Sequence, residues 1–289
     1  MELLDYLRMV ASFAAAPYQE LPQIRGILLV GSAAYGVVDN YSDLDIILYY
    51  EELPSEEELH QARLKNGWDA PKWSMADSEQ GSVMEAYDLG GVECQFAHCS
   101  IGAIEQEMNS ILVDLDPDTP NQKALSGLIY GVPLYGEDFI RRLKDRAAQF
   151  PYGLAKAMVE RFLDFQALWL MSEKLKARDA LLWKQQGLLQ GAQNILGVLA
   201  GLNRVYYSTF QFKRMGEFIN ELRIRPQDLG RRIVEVCASS DSSIAVYREL
   251  VSDVVKLVED HMPEVDVSAV RRRLDRVEQP WAPEPLPPR

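Results

Sequence analysis

Residues 31–45 read GSAAYGVVDNYSDLD. This stretch joins two short apolar runs, GILLV at 26–30 and LDIILYY at 44–50, whose length suits strands. A Gly-Ser turn leading out of a strand exposes backbone N–H groups. Gly31 lets them approach a phosphate closely, and Ser32 adds a hydroxyl donor. Asp43 and Asp45 are two apart at the start of the second run, so both project from the same strand face. Two like charges that close are costly unless a cation holds them, and hard divalent ions such as Mg²⁺ prefer oxygen ligands. Taken singly, the turn and the aspartates have bland readings as a tight turn and solvated charges. Their combination within one short segment points to phosphate and metal chemistry.

Working outward, residues 2–16 read as an amphipathic helix with Leu3, Leu7, Val10 and Phe13 near helical spacing, ended by Pro17. An acidic helix is expected over 55–66, then extended segments at 81–88 and 91–98 joined by a turn at Gly90-Gly91. The second of these carries VECQF, and Glu93 is the candidate third carboxylate of a two-ion site. Glu85 and Asp88 are weaker competitors. From residue 101 the periodicity is helical, with helices expected at 101–113, 120–130, 137–148, 153–175, 179–203, 213–222 and 240–261. Pro133, Gly136 and Pro151 punctuate the region 132–150. The division drawn there gives a first domain at 1–135, a helical domain at 136–278 and a Pro-rich tail at 279–289 that reads as disordered.

The 289 residues are 47% hydrophobic and 25% charged, an ordinary globular composition. No apolar run reaches the roughly 18 residues of a membrane span, and the acidic N-terminus does not resemble a signal peptide, so a cytoplasmic protein without a membrane partner is expected. Three cysteines without framework spacing argue against a disulfide scaffold. The net charge of -13 is unevenly spread: residues 1–137 hold 23 acidic and 6 basic side chains, residues 138–289 hold 20 and 24. That acidity argues against a nucleic acid partner, which would need clustered Lys and Arg. Cys94, His98 and Cys99 do not form a zinc set, because strand alternation sends Cys99 to the face opposite the other two.

Gly31-Ser32, Gly36 and Ser42-Asp43-Leu44-Asp45 resemble the GS, G, SDxD signature of the DNA polymerase beta nucleotidyltransferase superfamily, with Glu93 at the position of the family's third carboxylate. The resemblance is tight over about 20 residues and loose over residues 20–100. It implies an α+β fold, a mixed α/β sheet forming the catalytic domain, followed by an all-α helical bundle. That order, with the segment LNRVYYSTFQFKRM at 202–215, is similar to the bacterial aminoglycoside and lincosamide adenylyltransferases.

The same resemblance implies an enzyme that transfers a nucleoside monophosphate, AMP from ATP or another NTP, onto a hydroxyl of a small molecule, releasing pyrophosphate. Asp43, Asp45 and Glu93 would be the catalytic and metal-holding residues of a two-ion Mg²⁺ site. Gly31, Ser32 and Ser42 would serve the nucleotide, with Lys213 as a phosphate-facing cation. Tyr206, Tyr207 and Phe210 are candidates to stack on a base or to form core, and Glu105, Glu107, Asp164 and Glu173 are open candidates for a general base. The competing readings are transfer onto a protein or RNA end and a non-catalytic nucleotide-binding module. The sequence leaves the acceptor, the nucleotide preference and the oligomeric state open.

Overall fold

The computed structural model describes residues 1–77, 82–118, 120 and 122–276, without the side chains of residues 76, 77 and 210–212. The Pro-rich tail expected at 279–289 and the Phe210 side chain lie outside the described residues. The chain divides into two compact units, Met1–Phe150 and Pro151–Arg289.

The first unit runs α1 (Leu3–Ala15), β1 (Ile24–Val30), α2 (Gly31–Tyr35), β2 (Leu44–Tyr50), α3 (Glu56–Lys65), β3 (Trp73–Asp77), β4 (Ser82–Leu89), β5 (Val92–Ser100), α4 (Ile101–Leu112), α5 (Gln122–Tyr130), β6 (Val132–Tyr135) and α6 (Glu137–Ala147). Its sheet has the order β3-β4-β5-β2-β1-β6. Every pairing is antiparallel except β2 with β5, which run parallel, so the sheet is mixed.

Alternation along β2 explains the layering. Leu44, Ile46 and Leu48 are buried, together with Cys94 and Phe96 of β5 and Ile27 and Leu29 of β1, in a core closed by Leu7, Val10, Ala11 and Ala14 of α1 and by Leu59 and Ala62 of α3. Phe13, expected on the buried stripe of α1, is 62% exposed; its place is taken by Ala14 and Ala15. The opposite sheet face carries Gly26 and Leu28 of β1 and Tyr49 of β2. There Tyr49 meets Phe139 of α6, and a Cβ at Gly26 would meet Ile140 at 2.7 Å and Phe139 at 2.9 Å.

That contact explains where the chain divides. Gly136 punctuates the sequence, but α6 beyond it covers β1 and its Lys144 ammonium donates to the Gly131 carbonyl at 2.6 Å, so α6 belongs to the sheet unit. The strands β3 and β6, five and four residues long, had no expectation in the sequence.

The second unit is helical: α7 (Tyr152–Phe162), α8 (Ser172–Ala177), α9 (Leu181–Asn203), α10 (Met215–Glu221), α11 (Leu229–Cys237), α12 (Ser243–His261) and α13 (Ser268–Leu274). The single helix expected over 153–175 is broken. Leu163 ends α7, and the turn that follows buries Phe165 and Leu168, with Leu168 packed against α9 at Gly187. Two short helices, α11 and α13, were not expected. Among the described residues, no helix is long and apolar enough to cross a membrane.

Candidate functional site

The site grows from the junction of β1, α2 and β2. Gly31 follows β1 with φ of +69°, a left-handed conformation that glycine adopts without strain. A Cβ there would collide with Asp45 Oδ2, so the glycine is needed both for its backbone angle and for the approach of this carboxylate. The short α2 is fixed from two sides. Arg8 of α1 donates to the Ala33 carbonyl at 3.2 Å, and the Tyr35 hydroxyl meets Ser126 of α5 at 3.1 Å. Gly36, with φ of +79°, ends the helix.

Ser32 Oγ is buried with no hydrogen-bond partner. Leaving such a group unmade costs about 1–3 kcal/mol, and the hydroxyl lies one residue from the glycine that touches Asp45. Ser42 is different. Its hydroxyl accepts from the Asp39 amide at 3.0 Å and faces Asp39 Oδ1 at 3.4 Å, which ties the loop leading into β2 and occupies the group expected to help a nucleotide.

Parallel pairing of β2 with β5 sets Asp45 opposite Gln95, and two residues earlier along each chain stand Asp43, just ahead of β2, and Glu93. All four side chains therefore share one face. The Gln95 amide bridges these two carboxylates, its Nε2 donating to Asp43 Oδ2 and to Glu93 Oε1 at 3.1 Å each. Glu93 also pairs with Lys72 through Oε2 at 2.8 Å, and the Trp73 indole approaches its Oε1 at 3.5 Å. The Lys72 ammonium holds the Glu93 carboxyl below the usual carboxylate range. Lys72 reaches Asp88 as well, at 3.1 Å, and these two carboxylates raise its own pKa.

These donors fit a hard divalent ion in kind and in strand face, and the orphaned Ser32 hydroxyl gives the neighbouring turn an unfilled polar role. Their spacing does not close on one ion as it stands: among the described residues, no three Asp, Glu, His or Cys side chains converge to hold a metal. The pair that does close is Asp43 with Glu93, through Gln95.

Other sequence candidates fall elsewhere. Glu85 lies on the opposite face, buried between Arg63 at 2.7 Å and His98 at 3.0 Å. Its neighbours Cys94 and His98 are buried on that face, and Cys99 is on the other. Glu107 is half-buried and its carboxyl is raised by desolvation. The groups it influences are Tyr49 and Cys99, and Tyr49 stands four residues beyond Asp45, about 13 Å along the strand. Lys213 is exposed in the helical unit. Tyr206 and Tyr207 are core residues, and the Tyr207 hydroxyl donates to the Gln193 carbonyl at 2.7 Å.

The sequence reading missed Gln95 and Lys72. The same two-residue alternation that paired Asp43 with Asp45 would have found Gln95 beside Glu93. Lys72 had no such signal, because it stands just ahead of β3, a strand that the sequence did not announce.

No family model matches the chain, and no curated protein matches it. Among solved structures it is similar to a nucleotidyltransferase-like protein from Exiguobacterium sibiricum 255-15, with 12% identity and a TM-score of 0.40 over 93% of this chain and 81% of that one. It is also similar to a CCA-adding enzyme in complex with ATP, with 15% identity and a TM-score of 0.27 over 93% and 78% of the two chains. Likenesses this remote carry no weight for the chemistry, which rests on the residues of the site.

Proposed function

We propose that this chain is a metal-dependent nucleotidyltransferase of the DNA polymerase beta type, transferring a nucleoside monophosphate from an NTP, with ATP as the first choice, to a hydroxyl of a small molecule. The observation that carries the reading is the shared strand face of Asp43, Asp45 and Glu93 beside the Gly31 turn and the unpartnered Ser32 hydroxyl. In this reading the acceptor oxygen bonds to the α-phosphorus, the bond from that phosphorus to the bridging oxygen breaks, and pyrophosphate leaves with the electron pair. The proton of the acceptor hydroxyl passes to a base or to solvent. Asp43, Asp45 and a reoriented Glu93 would hold Mg²⁺, which supplies charge neutralisation for the attacking and leaving oxygens when bound.

Ser32 and the Gly31 turn would take the phosphates, and the bridge from Gln95 orients Asp43. A cationic hydroxylated acceptor of the aminoglycoside kind suits the acidic first half of the chain, where 23 acidic side chains outnumber 6 basic ones over residues 1–137.

The test is transfer of label from α-³²P-ATP to a panel of hydroxylated small molecules, with Mg²⁺ and with EDTA. Expected is Mg²⁺-dependent transfer with pyrophosphate release, reduced at least about a thousandfold in Asp45→Ala. Transfer that survives Asp45→Ala overturns the assignment. That no three such donors converge among the described residues favours a second reading, a nucleotide-binding module without catalysis. It predicts ATP binding with no pyrophosphate release under any metal.

A further inference from the structure

Glu93 has both carboxylate oxygens engaged. Oε1 accepts from Gln95, whose other contact is Asp43, and Oε2 faces the Lys72 ammonium at 2.8 Å. Lys72 is not loosely placed. Its backbone N–H donates to the Ala86 carbonyl at 2.8 Å, which anchors the residue alongside β4, and its side chain spans Glu93 and Asp88. An exposed lysine pair is ordinarily worth little. This one differs in which carboxylate it engages: Glu93 is the side chain whose reorientation would bring a third donor to Asp43 and Asp45.

We propose that Lys72 is an internal counter-ion of the metal site, a cation that holds Glu93 Oε2 and that a divalent ion must displace in order to gain Glu93 as a ligand beside Asp43 and Asp45. The proposal rests on the metal-site reading given above. Glu93 then has two alternative partners, the ammonium and the metal, and the nucleotide-free protein has its metal affinity set by that competition. A ligand that brings its own negative charge offers Lys72 another partner, so a polyphosphate and the metal favour each other's binding through this side chain. Removing a unit charge a few ångströms from the bound ion, at the dielectric of a half-exposed site, is expected to tighten metal binding about tenfold.

The experiment is Mn²⁺ binding to the full chain without nucleotide, read by the electron paramagnetic resonance signal of the free ion at fixed salt, for wild type, Lys72→Met, Lys72→Gln, Lys72→Arg and Asp45→Asn. Expected is binding about tenfold tighter in Lys72→Met and Lys72→Gln, near wild type in Lys72→Arg, and lost in Asp45→Asn. Lys72 is half-exposed, so the neutral variants should keep the thermal midpoint of wild type, and having two guards against one that misfolds. Equal Mn²⁺ affinity in wild type and the neutral variants overturns the role of Lys72 while leaving the metal site standing. Weaker binding in the neutral variants also overturns it and makes Lys72 a support for the site. Absence of Mn²⁺ binding in all five proteins overturns the metal-site reading itself.

Discussion

At the scale of single residues, the Ser32 hydroxyl separates stability from binding. A buried hydroxyl without a partner burdens the folded state, so Ser32→Ala should leave stability unchanged or raise it by up to about 1 kcal/mol. If the hydroxyl serves a phosphate, the same change weakens ATP binding about tenfold, because hydrogen bonds to charged oxygens are the stronger kind. Denaturant unfolding and calorimetric titration of one variant check both halves. A loss of stability with unchanged ATP affinity would show that Ser32 supports the fold only. Gly31, Asp43 and Asp45 were legible because a turn and a two-residue alternation are local facts. Lys72 was not, because its meeting with Glu93 is made by strand order across β3, β4 and β5.

At the scale of elements, the buried face of the sheet holds a polar network that the sequence did not announce. Arg63 of α3 pairs with Glu85 of β4, Glu85 with His98 of β5, and His98 Nδ1 with the Tyr50 hydroxyl of β2 at 3.0 Å. Arg63 also pairs with Glu56 on its own helix. Burial works to raise the Glu85 carboxyl, but the hydrogen bond and charge of His98 and then those of Arg63 outweigh it, and its pKa is lowered from 4.5. A carboxyl lowered by folding stabilises the native state above its unfolded pKa and loses that contribution as pH falls through the folded value. Stability should therefore decline on acidification below about pH 4.5, and Glu85→Gln should flatten that decline. The variant should also cost about 3 kcal/mol at neutral pH, because the Arg63 charge is left under-compensated in the core. Urea unfolding of both proteins between pH 3 and 7 measures the two effects, and an unchanged acid slope would remove Glu85 as its source.

Elements with strong alternation, such as β2, could be read from sequence because one face is buried. The break after Leu163 could not: its cause is the packing of Leu168 on Gly187, nineteen residues further on. For α11 the signal was present, since Leu229, Ile233 and Val236 fall at helical spacing and are buried, but the intervening Arg231, Arg232 and Glu235 masked it.

At the scale of the molecule, the sheet unit contains all six strands and ends after α6. A fragment of residues 1–150 is expected to unfold cooperatively on heating. A fragment of residues 1–135 lacks Phe139 and Ile140 over Gly26 and the Lys144 bond to Gly131, and is expected to lose that transition. Circular dichroism melts distinguish the two, and equal cooperativity would show that α6 is dispensable to the sheet. The parallel joint between β2 and β5 also sets an order of events while the chain folds. Antiparallel neighbours can zip from nearby residues, as β4 does with β5 across Gly90-Gly91, whereas β2 must wait for a strand about fifty residues downstream. Asp43 and Glu93 are therefore brought together by the β2–β5 pairing and not by any local turn, and Gln95 comes on the same strand as Glu93 to bridge the pair.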